Sequence, residues 1–142
     1  MLTLEHLAPL LEQNAEAARA RVKEFDIAGR EFAFNSSPTL MGVINLSPDS
    51  WYRESVCLNA EAAIQRGRRL AAEGAALVDV GAESTLTQAE RVDEVLQNDR
   101  LLPVVRALRA ADILVSAETY QPAVAQACLE AGEILFLHTK CA

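Results

Sequence analysis

Short apolar runs that stop abruptly at polar residues constrain this chain more than any other feature. Thr39–Ser50 reads Thr-Leu-Met-Gly-Val-Ile-Asn-Leu-Ser-Pro-Asp-Ser, and the same plan recurs in Ala76–Thr85 and Ile113–Thr119. A strand that is hydrophobic along its whole length is covered on both faces, as in parallel sheets. Polar residues gathered at the C-terminal ends of such strands are the mark of a parallel barrel enzyme, whose chemistry sits on that rim. A fourth apolar run, Ile134–Leu137, follows shortly before Ala142.

The segments between these runs have helical character. Asn59 is placed to cap a helix from about Ala60 to Glu73, with Gly74 as its stop. Residues Val92–Ala110 form a second helical region, which Pro103 is expected to split or kink. Pro122 opens a third helix, to Glu130, and Gly132 ends it. The strands are expected at Leu40–Leu46, Leu77–Val80, Ile113–Ser116 and Ile134–Leu137. Strand–helix–strand alternation with these connection lengths implies right-handed βαβ units. The expected fold is α/β: a partial (β/α)8 TIM barrel of about four parallel strands with their helices.

Ahead of it, Leu4, Leu7, Leu10, Leu11, Ala15, Ala18 and Val22 make one apolar stripe, predicting a single helix over Leu2–Phe25. A small hairpin turning at Ala28–Gly29 should follow. The expected organisation is a helical extension over 1–25 and a barrel half over 26–142.

A net charge of −7 argues against nucleic acid as a partner, because phosphate binding calls for a basic patch. No apolar run approaches the roughly 20 residues of a membrane-spanning helix, and the start lacks the basic-then-apolar plan of a signal peptide. Cys57, Cys128 and Cys141 form no CxxC pair, which fits reduced thiols and a cytoplasmic protein. Two isolated histidines do not make a zinc site.

Parallel strands bring their C-terminal ends to one rim, beside helix N-termini that favour anions such as phosphate. The first strand delivers Asn45, Ser47, Asp49 and Ser50 to it, the second Asp79, Glu83, Ser84 and Thr85, and the third Ser116, Glu118 and Thr119. Asn45 can coordinate a hard cation through its amide oxygen or donate to a phosphate. A carboxylate such as Glu118 can accept two adjacent N–H donors, the edge an amino-pyrimidine ring presents, or pair with an arginine on the rim.

These residues carry a family resemblance. Met41–Trp51, Met-Gly-Val-Ile-Asn-Leu-Ser-Pro-Asp-Ser-Trp, resembles the Met-Gly-Ile-Leu-Asn-Val-Thr-Pro-Asp-Ser-Phe signature of dihydropteroate synthases. Glu73–Thr85 is similar to that family's Glu-Gly-Ala-Asp-Ile-Ile-Asp-Ile-Gly-Gly-Glu-Ser-Thr, and Ser116-Ala-Glu-Thr to its Ser-Val-Asp-Thr. The resemblance implies a TIM barrel that condenses a dihydropterin pyrophosphate with 4-aminobenzoate, giving dihydropteroate in folate synthesis. It implies magnesium (Mg2+) and pyrophosphate near Asn45, substrate contact at Thr85 and pterin binding at Glu118, with Ser84 and Asp79 as further candidate substrate-binding residues. No catalytic residue is implied among the matched positions.

The chain also departs from the pattern. Trp51-Tyr52-Arg53-Glu54-Ser55 stands where the family continues Phe-Ser-Asp-Gly-Gly, and Leu86-Thr87-Gln88 where it has Arg-Pro-Gly. Glu118 in place of Asp adds a methylene, carrying the carboxylate about 1.5 Å further. The later pterin-binding Asp, Lys and Arg have no counterpart in 142 residues, against about 250 for a complete barrel. Such a half-barrel is expected to form a homo-oligomer or take a second subunit, and to have weak or absent activity alone. A non-catalytic pterin-binding or scaffold partner, the product of a truncated or frameshifted gene, and a pterin-dependent methyltransferase domain are the alternatives.

Overall fold

The structure, a computed structural model, describes residues 3–84, 89, 91–132 and 134–137. They fall into two compact units that divide between Pro38 and Thr39.

The first unit opens with α1 (Leu4–Gln13) and α2 (Ala15–Arg19), not with one long helix. Asn14 makes the break. Its backbone leaves the helical region at φ −119°, ψ 32°, and its side-chain amide donates to the Leu10 carbonyl at 2.8 Å. An Asn that bonds a nearby carbonyl competes with helix propagation, and an apolar periodicity does not register that competition. Strands β1 (Phe25–Ile27) and β2 (Arg30–Phe32) form the expected antiparallel hairpin, with φ positive at both Ala28 and Gly29. Phe25, Phe32 and Phe34 close on one another with ring centroids 5.2–5.9 Å apart. The hairpin thus groups with the helical segment, whereas the sequence reading set the division after Phe25.

The second unit is a four-stranded parallel sheet of β3 (Met41–Asn45), β4 (Leu77–Gly81), β5 (Val115–Glu118) and β6 (Ile134–Leu137), paired in that order. Helices α3 (Ala60–Ala72), α4 (Glu94–Ala110) and α5 (Pro122–Ala131) form the crossovers. Asn59 and Asp93 cap α3 and α4 through their side-chain oxygens, each accepting a backbone N–H at 2.8 Å. Helix α4 runs unbroken through Pro103. The lost hydrogen bond is offset by Leu101, Val104, Val105 and Leu108, all fully buried.

Alternation divides the strand residues between two faces. Ile44, Val78, Val80, Val115 and Ala117 join Ala63, Val124, Cys128 and the α4 residues in one apolar core. Gly67 lets α3 and α4 meet closely there, since a Cβ on it would lie 2.6 Å from Leu108 Cδ2. The opposite face carries Val43, Asn45, Asp79, Gly81, Ser116 and Glu118. At the outer edge of β3, the Val43 carbonyl accepts from Arg66 Nε at 3.3 Å and the Asn45 carbonyl from the Cys57 N–H at 2.8 Å.

Strand β5 lies two residues later than expected. The Ile113 N–H closes the end of α4 on the Leu108 carbonyl, so Ile113 belongs to the turn, and Ser116 moves from the strand end to its interior.

Candidate functional site

Register places the polar side chains of the opposite face in two rows. In the upper row Asn45 pairs with Gly81 and Gly81 with Glu118, at the C-terminal ends of three adjacent strands. The row below runs Val43, Asp79, Ser116. Gly81 decides how the upper row is used. A Cβ there would stand 3.0 Å from Glu118 Oε2, so the missing side chain is what lets the Glu118 carboxylate lie against β4.

The loop after β3 closes over this row. It contains a 3-10 turn at Arg53–Ser55, and Arg53 donates to the Pro48 carbonyl. Asn45 Nδ2 donates to the fully buried Ser55 hydroxyl at 2.6 Å, and that hydroxyl donates to the Tyr52 carbonyl at 2.6 Å. The Ser84 hydroxyl donates to the Asp49 carbonyl at 3.3 Å, tying the loop after β4 to the loop after β3. The result is a cleft of about 270 Å³ lined by Val43, Asn45, Ser50, Trp51, Tyr52, Ser84 and Glu118. Its aromatic wall is the Trp51–Tyr52 pair, with ring centroids 6.1 Å apart, and Trp51 is 75% exposed.

Asp79 is the electrostatically strained group. Its carboxyl is pushed up to about 6, first by burial and then by the Glu118 charge, while the neighbouring Ser116 hydroxyl pulls the other way. That hydroxyl sits close enough to help, yet no well-aligned hydrogen bond joins the pair. Asp79 Oδ1 and Ser116 Oγ are both buried without a partner among the described residues. Native structures leave few such atoms unpaired, and these two lie on the face that carries the cleft.

Other rim residues turn out to hold the scaffold together. Glu83 was expected to face a ligand, but its buried carboxylate is ion-paired with Arg91 and accepts from Gln97 Nε2 at 2.9 Å. Gln97 Oε1 in turn accepts from the Thr119 hydroxyl at 2.7 Å. This chain of bonds locks the C-terminal ends of β4 and β5 to the first turns of α4. Ser47 accepts from the Asp49 N–H at 3.3 Å, closing the turn at Pro48. Thr85 lies outside the described residues. Ser55, Gln97 and Gly81 went unnoticed in the sequence. Ser55 and Gln97 act through partners ten or more residues away, and Gly81 acts by lacking a side chain.

Among the described residues, no three His, Cys, Asp or Glu side chains come together as a metal cluster, and no helix is long and apolar enough to cross a membrane.

Comparison with known proteins places this geometry. The family model described as "Pterin binding enzyme" matches residues 41–136, from the first residue of β3 into β6. The dihydropteroate synthase of Streptococcus pyogenes serotype M1 is 34% identical over 103 residues, covering 72% of this chain and 39% of that protein. The Burkholderia cenocepacia dihydropteroate synthase complexed with 7,8-dihydropteroate superposes with a TM-score of 0.67 at 34% identity, over 81% of this chain and 37% of that one. The Xanthomonas albilineans enzyme with 4-aminobenzoic acid superposes at 0.69 and 35% identity, over 82% and 44%. The chain therefore spans about two fifths of the length of these relatives. Four parallel strands in barrel order, loaded at their C-terminal ends and matched by the family model from β3 into β6, mean that the chain belongs to the pterin-binding enzyme family and is similar to its dihydropteroate synthases.

Proposed function

We propose that this chain supplies the first wall of a dihydropteroate synthase site and binds the pterin pyrophosphate substrate there. The observation that carries the reading is the pair of unpartnered buried polar atoms, Asp79 Oδ1 and Ser116 Oγ, lying one row beneath the Asn45–Gly81–Glu118 rim. A pterin ring presents adjacent N–H donors, which an acceptor carboxylate receives pairwise. In this reading Glu118 and Asp79 accept from the ring, while Asn45, Ser84 and Thr85 hold the pyrophosphate end.

The donor set fits magnesium in one form only. With no cluster of carboxylates or imidazoles among the described residues, a cation here would be held chiefly by pyrophosphate oxygens and water, as magnesium usually is, with the Asn45 amide oxygen as the protein ligand. Bound in this way it would neutralise charge on the departing pyrophosphate. The chain's own residues bind and orient the pterin, and the loop carrying Trp51 and Tyr52 shields the cleft.

Condensation with 4-aminobenzoate, as the relatives' activity suggests, needs groups on the facing wall of a closed barrel. We assign those groups to further polypeptide: the rest of a longer chain, another copy or a second subunit. Free, buried Cys57 and Cys128 suit a reducing compartment, and we place the protein in the cytoplasm.

Titration of the full chain with 6-hydroxymethyl-dihydropterin pyrophosphate, with and without magnesium, tests the reading. Asn45→Ala should abolish the magnesium-dependent part of binding and leave the circular dichroism spectrum unchanged. Failure of the wild-type chain to bind at millimolar ligand would refute pterin binding, and would favour a scaffold role.

A further inference from the structure

We propose that Ser55 is a positioning residue that fixes which atom of Asn45 faces the cleft. The inference rests on the assignment of Asn45 to the metal–pyrophosphate end. It comes from an inventory of protons. A backbone carbonyl can only accept, so the 2.6 Å contact between Ser55 Oγ and the Tyr52 carbonyl uses the single proton of the hydroxyl. Ser55 Oγ can then only accept from Asn45, 2.6 Å away on its other side. Of the two ends of the Asn45 amide, only Nδ2 donates. The amide orientation is therefore dictated, and Oδ1 is turned away from Ser55.

Three further observations support the relay. Ser55 is fully buried, so water does not compete for its proton or its lone pairs. The Asn45 backbone is held independently by the Cys57 N–H at 2.8 Å, which leaves the side-chain torsions as the freedom that Ser55 removes. Among the described residues Asn45 Oδ1 makes no hydrogen bond to protein, and Asn45 lines the cleft, so an oxygen donor is presented where a hard cation can reach it. The motif that Met41–Trp51 resembles continues Phe-Ser-Asp-Gly-Gly, with glycine where this chain has Ser55. The relay is thus a property of this chain's own loop, stabilised by the 3-10 turn and by Arg53 on the Pro48 carbonyl.

A flipped amide would aim an N–H pair at the cation. Groups that orient a metal ligand typically alter metal affinity 10- to 100-fold when removed. Ser55→Ala should accordingly raise the magnesium concentration for half-maximal binding of 6-hydroxymethyl-dihydropterin pyrophosphate about tenfold. Magnesium-free binding of the same ligand should shift by less than the magnesium dependence does, and Ser55→Thr, which keeps the hydroxyl, should recover most of the loss. In the ligand-free wild-type chain, one Asn45 side-chain amide proton should exchange with D2O at least about tenfold slower than those of exposed asparagines, as a bonded donor does.

The outcomes separate two failures. If Asn45→Ala removes magnesium dependence but Ser55→Ala does not shift it, the relay is wrong and the Asn45 assignment stands. If Asn45→Ala changes nothing, the assignment itself is wrong and the relay falls with it. Should Ser55→Ala not fold, the exchange measurement on the wild-type chain decides, and two equally fast Asn45 protons overturn the proposal.

Discussion

Asp79→Asn probes the stored electrostatic energy of the site most directly. In the folded chain the Asp79 carboxyl titrates at about 6 against an ordinary 3.8, so the folded state binds a proton the unfolded state has already released. A carboxyl raised from 3.8 to about 6 costs the ionised fold about 3 kcal/mol. Because the folded value is raised, the group destabilises the fold when ionised. The penalty is absent well below pH 4, grows between about pH 4 and pH 6, and stays at about 3 kcal/mol above that. An amide at position 79 carries no charge and can donate to the unpartnered Ser116 hydroxyl. Asp79→Asn should therefore match the wild type to within a constant at pH 3.5 and gain about 3 kcal/mol on it by pH 7.5. For a unit of about 100 residues that is roughly 12–24 °C in Tm. Urea melts of both proteins across pH 3.5–8, read as their difference, cancel the titrating groups that do not interact with Asp79. A difference that does not change with pH, or that moves in the opposite direction, would refute the argument.

The same charge should tie ligand binding to pH: pterin affinity of the wild type should rise as pH increases through 6, and Asp79→Asn should lose that rise along with most of the affinity. Gly67→Ala should destabilise the chain by about 1–3 kcal/mol in chemical melts, because its Cβ would press on the fully buried Leu108. Gly81→Ala should leave the melt within about 1 kcal/mol, since the end of the Glu118 side chain can swing away, but should weaken pterin binding severalfold by displacing that carboxylate. An alanine variant that binds as tightly as the wild type would show that Glu118 is not a ring contact.

The parts of the fold legible in the sequence were those set by local chemistry. The α3 boundaries follow from the Asn59 cap, the hairpin from Ala28–Gly29, and the strand order from short crossovers. What escaped was decided by competition for a single group. Asn14 leaves the helical region while its side-chain amide and its own N–H share the Leu10 carbonyl, which ends the first helix, and the Ile113 N–H is claimed by α4, which moves β5 along by two residues. The candidate site divides in the same way. Asn45 and Glu118 were readable because their position at a strand end is itself the signal. Glu83 and Thr119 looked equivalent on that criterion, and only the arrival of Gln97 from α4 turns them into supports. Asp79, expected at the rim, sits within β4 one row below it, and what sets it apart is burial that periodicity does not reveal.

The edge of β3 bears on how the sheet avoids unwanted pairing. Open strand edges invite pairing with strands of other molecules, which is how nascent β-structure aggregates. Arg66 and the Cys57 N–H already occupy the Val43 and Asn45 carbonyls, so an intruding strand must strip away a guanidinium and a backbone bond to gain its own register. The positive charge of Arg66 at that margin also repels a like-charged copy of itself. In the folded chain the Val43 and Asn45 positions of this edge therefore carry a cover that any pairing strand must first displace.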